Sequence, residues 1–99
     1  MMTCGGLGQA QPVNEDIHDL VKQVKSQLAT HAPGHENQDL EPISFRSQIV
    51  NGVNYFIKCK SGDQHVHLKV HKPLPHTQEG PTLTGVQTGK SDQDEVAFF

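Results

Sequence analysis

The sequence predicts an α+β fold in which one helix covers the apolar face of an antiparallel sheet. Three observations point there: one early run with apolar residues at helical spacing, several later stretches that alternate apolar and polar, and turn-forming residues between those stretches. At 99 residues the chain is expected to form one domain, 1–99, with no surplus for a second core.

Residues 1–12 are rich in Gly and Gln and carry no periodicity, so they read as a flexible, extended arm. Asn14 is a helix N-cap, followed by Glu15 and Asp16, which suit the positive end of a helix dipole, with Lys22 and Lys25 falling later. Ile17, Leu20, Val21, Val24 and Leu28 line one helical face, and Pro33-Gly34 ends the pattern. A helix is therefore predicted from Glu15 to Thr30.

Ile43, Phe45 and Ile49 then alternate with Ser44, Arg46 and Gln48, and Val53, Tyr55, Ile57 and Cys59 alternate with Asn54, Lys58 and Lys60. These are two half-buried strands. Asn51-Gly52 between them suggests a two-residue hairpin turn. Side-chain parity opposes it, because pairing Val50 with Val53 would place Phe45 and Tyr55 on opposite faces. Pairing Ser47 with Val53, Phe45 with Tyr55 and Ile43 with Ile57 keeps one apolar face, and predicts a five-residue loop, Gln48–Gly52, that presents Ile49 and Val50 unless a bulge absorbs the odd residue. Ser61-Gly62-Asp63 is the next turn, and the strand after it directs Val66, Leu68 and Val70 inward and His65, His67, Lys69 and His71 onto a solvated outer face. Leu74-Pro75 interrupts that strand and makes Pro73 to His76 a rigid connection. A further strand is expected around Thr82 to Thr88, and Val96 to Phe99 is apolar enough to dock.

Composition narrows function. The net charge of -3, with acids and bases interspersed, supplies no basic stripe for nucleic acid or anionic lipid. No stretch reaches the roughly 18 apolar residues of a membrane span. Two cysteines, Cys4 and Cys59, make no disulfide framework, which fits a reducing compartment such as the cytoplasm. His65, His67 and His71 share a strand face, but no carboxylate or cysteine is spaced to complete a tetrahedral shell, so neither metal nor cofactor is expected. Cys59 falls on the inward phase and Cys4 on the arm, where nothing orients a base, so no enzyme activity is expected. What remains is a recognition surface: the glycine-containing arm, a loop tipped by Ile49 and Val50, and the Leu74-Pro75 turn.

Together these motifs resemble the stefins, the single-domain, disulfide-free branch of the cystatin superfamily, over essentially the whole chain. Gly5 with Gly6 resembles the glycine of the stefin N-terminal trunk. Gln48-Ile49-Val50-Asn51-Gly52 resembles the Gln-x-Val-x-Gly first loop, and Leu74-Pro75-His76 the second. Asn54 to Lys58 and His67 to Val70 are similar to stefin strand segments. The resemblance implies a sheet of four to five antiparallel strands wrapped around the helix, and a wedge built from trunk and two loops. It implies tight, reversible occlusion of papain-like cysteine proteases such as cathepsins, with Gly5, Gln48, Ile49, Val50, Asn51, Gly52, Leu74 and Pro75 in contact and Val50 and Leu74 as anchors. The chain departs from the pattern at Asn51, where stefins commonly carry alanine; a larger polar tip there weakens binding or shifts preference among proteases. The expected state is a monomer, with a Cys4-linked or hairpin-swapped dimer as its alternatives, and a metal-binding or scaffold protein on the same fold is the competing reading.

Overall fold

The computed structural model describes residues 8–31, 40–50, 52–74, 79–97 and 99, with backbone alone at His31 and Val50. Its elements are β1 (Gln11–Pro12), α1 (Glu15–Val24), a 3₁₀ turn (Lys25–Gln27), α2 (Leu28–His31), β2 (Leu40–Val50), β3 (Gly52–Ser61), β4 (Gln64–Lys72) and β5 (Thr82–Lys90). The strands form one antiparallel sheet whose spatial order, β1-β2-β3-β4-β5, is the order of the chain.

The helix starts where its cap predicts: Asn14 is extended, and its Oδ1 accepts the Ile17 N–H at 3.0 Å. An isolated helix of this length is marginal in water, so its persistence rests on burial. Ile17, Leu20, Val21, Val24 and Leu28 all pack into the core, each burial contributing roughly 1.5 to 3 kcal/mol. The expected single helix narrows to a 3₁₀ turn before Leu28. There the Gln27 side chain crosses to the sheet, donating to the Pro81 carbonyl at 3.3 Å and accepting the Leu83 N–H at 2.9 Å. The Pro33-Gly34 stop lies outside the described residues.

The inner sheet face, Phe45, Ile57, Cys59, Val66, Leu68, Val70 and Leu83, meets the helix in one cluster. The hairpin register corrects the sequence expectation. Phe45 pairs with Ile57, Ser47 with Tyr55 and Ile49 with Val53, and Val50 stands opposite Gly52, so the ladder runs to the tip and no five-residue loop forms. A shift of two residues preserves the face while adding ladder bonds, so the parity argument holds and the loop length does not. Ile43 is also corrected. It sits in a bulge between Pro42 and Ser44, is 38% exposed, and yields the inner face to Pro42, which pairs with Cys59. Proline lacks the ladder donor, and a bulge beside it accommodates the loss. Ser61 pairs with Gln64 across a turn in which Gly62 takes φ 61°.

The outer face is not uniformly solvated, contrary to expectation. Across β2, β3, β4 and β5 it carries three rows: Ser44, Lys58, His67 and Gln87; Arg46, Phe56, Lys69 and Gly85; then Gln48, Asn54, His71 and Thr82. The C-terminal segment straps over the first two rows. Lys58 Nζ donates to the Asp92 carbonyl and Arg46 Nη1 to the Val96 carbonyl at 3.3 Å. The Phe99 ring meets Phe56 edge-on with centroids 5.7 Å apart, in a seat left open by Gly85, where a Cβ would lie 3.2 Å from the ring. Phe56 and His67 are buried beneath this strap, and the strap's own Val96 is buried with them.

Candidate functional site

The three segments singled out in the sequence converge on one end of the sheet. Gly8 donates its N–H to the Ser47 carbonyl at 2.9 Å and accepts from Arg46 Nε at 2.8 Å, so the arm runs beside the end of β2. Next to it is the β2–β3 tip with Gln48, Ile49 and Gly52. Beyond that is the exit of β4, which leads through Pro73 to Leu74. Ile49 is 66% and Leu74 37% exposed, two large apolar side chains at the same end of the sheet. Gly5, Asn51 and Pro75 lie outside the described residues, as does the side chain of Val50.

The tip and the β4 exit are in direct backbone contact at Gly52. Its φ of 108° is a conformation that side-chain-bearing residues rarely adopt. A Cβ there would lie 2.6 Å from the Lys72 carbonyl oxygen and 3.2 Å from the Pro73 Cα, so glycine lets the two segments close on each other. A shallow cleft of about 190 Å³, lined by Gly52, Val53, Tyr55, Lys72, Pro73 and Leu74, marks the junction.

On the outer face a side-chain chain spans the same junction. Asn54 Nδ2 donates to Gln48 Oε1 at 3.2 Å, and His71 Nδ1 lies 2.8 Å from Asn54 Oδ1. Sequence reasoning selected Gln48 but not Asn54 or His71. Their outward phase was readable, but their opposition depends on the exact register of three strands.

Among the described residues, neither nucleophilic nor metal chemistry gathers elsewhere. Cys59 is buried and unpaired, and burial pushes its thiol pKa up to about 12, the inert core thiol that its phase indicates. Among the described residues no three His, Cys, Asp or Glu side chains group to hold a metal ion. His67 is 1% exposed, its Nε2 finds no hydrogen-bond partner among the described residues, and its pKa lies below the ordinary value. Desolvation is the main cause, aided by Lys90 and Lys58 and opposed by the Asp94 charge and backbone. His65 stands 3.6 Å from the Asp92 carboxylate at the tail. No helix among the described residues is long and apolar enough to cross a membrane.

Residues 5–93 match the family model described as the Cystatin domain. Cystatin-A of Felis catus is 40% identical over 99 residues, covering 99% of this chain and 100% of the relative. Cystatin-B of Macaca fuscata fuscata is 41% identical over 102 residues, and Cystatin-A of Homo sapiens 39% over 99, again covering 99% of this chain and all of each relative.

Proposed function

Because the chain belongs to the cystatin family, we propose that it inhibits papain-like cysteine proteases, cathepsins among them, by wedging its sheet end into the active-site cleft. The single observation that carries this is the alignment of arm, β2–β3 tip and β4 exit along one end of the sheet, where Ile49 and Leu74 are exposed. In this mechanism the tip and Leu74 fill subsites on one side of the protease nucleophile, and the arm with Gly5 lies along those on the other. No peptide bond is offered where the thiolate attacks, so binding proceeds without turnover. Val50 and Leu74 are the apolar anchors, each worth roughly 1.5 to 3 kcal/mol when buried. Gln48, Ile49, Asn51 and Pro75 complete the contact surface, and Gly52 sets the tip's approach to the β4 exit. One monomer occludes one protease, as a single domain working in the reducing cytoplasm.

A titration of the purified chain against a fixed concentration of active papain tests this. Inhibition is expected to reach completion at one equivalent, and a Val50→Asp, Leu74→Asp double variant is expected to lose it. Full papain activity in the presence of folded monomer overturns the proposal.

A further inference from the structure

We propose that His71, through Asn54, is a positioning residue that locks the β2–β3 tip and the β4 exit into one rigid wedge. This rests on the inhibitory reading above. Gln48, Asn54 and His71 stand directly opposite one another on β2, β3 and β4, in the outer-face row nearest the tips. The tail strap reaches the two rows behind them through Lys58, Arg46 and Phe56, and in this row the side chains add a link of their own to the backbone ladder at the working end.

The donor order fixes the chemistry. Asn54 gives its amide N–H to Gln48 Oε1, which leaves Oδ1 as the acceptor that faces His71 Nδ1 at 2.8 Å. The imidazole therefore donates from Nδ1, and its neutral form carries the proton there. The ring also packs on the tip itself: His71 Cε1 lies 3.2 Å from where a Gly52 Cβ would stand. One half-buried side chain thus bonds β3 at Asn54 and lies beside the tip at Gly52, three residues before Leu74. Its role is to hold Leu74 and the tip at a fixed spacing, so that both enter a cleft together without a further ordering cost on binding.

The test is a double-variant cycle on the dissociation rate of the papain complex, using the full chain with His71→Ala, Leu74→Ala and both. If His71 works by pairing the two segments, its loss speeds dissociation about five- to tenfold when both anchors are present, the effect of one buried hydrogen bond. It has less than about a twofold effect once Leu74 is gone. His71→Gln, which restores an amide donor, recovers part of the loss. Equal losses in both backgrounds, or no loss in either, overturn the proposal. If the wild-type chain fails to inhibit papain, the inhibitory reading falls by itself, and the brace is judged in the free protein by amide hydrogen exchange. His71→Ala is then expected to speed exchange at Ile49 and Val53 while Val66 to Val70 stay protected; unchanged exchange at the tip overturns it.

Discussion

Gly52 meets two demands at once, a left-handed φ and a backbone approach too close for a methyl group. Gly52→Ala is expected to lower stability by roughly 2 to 3 kcal/mol, seen as an earlier urea midpoint at an unchanged slope, and to weaken papain inhibition by parting the tip from Lys72. The sequence announces the positive φ through Asn51-Gly52, but not the contact with the β4 exit, which exists only once β3 and β4 pair. Cys59 shows the opposite case, a residue legible from strand phase alone. With its pKa near 12, on the order of one molecule in ten thousand carries the thiolate at pH 8, so a thiol reagent is expected to modify it only as fast as the core opens. Rapid modification under native conditions would contradict its burial.

The elements follow a readable code where the signal is local. Asn14 and the spacing of Ile17 to Leu28 locate the helix, and the alternations of Tyr55, Ile57 and Cys59 and of Val66, Leu68 and Val70 identify the inner face. Register was only half legible, because parity separates odd from even pairings and cannot tell a ladder that reaches Val50 and Gly52 from one two residues looser. The bulge at Ile43 was invisible for the same reason: it depends on what Pro42 does opposite Cys59. His67 was misread because strand phase reports the face, not what lands on it, and the covering strap comes from about 25 to 30 residues further along the chain. Gly85 and Phe99 test that strap. Gly85→Val is expected to displace the Phe99 ring, and Phe99→Ala to cost about 1 to 2 kcal/mol through lost aromatic burial. Combining them should cost less than the sum, because both remove one contact; strict additivity would show that the ring does not sit on Gly85.

For the molecule as a whole, the strap ties stability to pH. His67 has its pKa below the ordinary 6.5 in the folded state, so at mildly acidic pH the unfolded chain binds the proton more readily. Stability is then full above about pH 6.5 and falls as pH drops below that value toward the folded pKa. Urea midpoints measured from pH 7.5 to 5 are expected to decline, and His67→Gln should flatten that decline; an equal slope in the variant would assign it to other groups. Asp94, whose pKa is lowered chiefly by the Ser91 backbone N–H, acts in a separate window below its ordinary 3.8, where stability is lost as the carboxylate protonates. Arg46 has a different reach. Its guanidinium donates to Gly8 on the arm and to Val96 on the strap, so one side chain gathers both extremities of the described chain. A polypeptide whose described extremities meet can be closed into a ring and reopened elsewhere. Joining tail to arm with a short flexible linker and making new termini at the exposed Gly62–Asp63 turn, far from the wedge, would give a circular permutant whose strands keep their neighbours and whose melting point stays close to that of the parent.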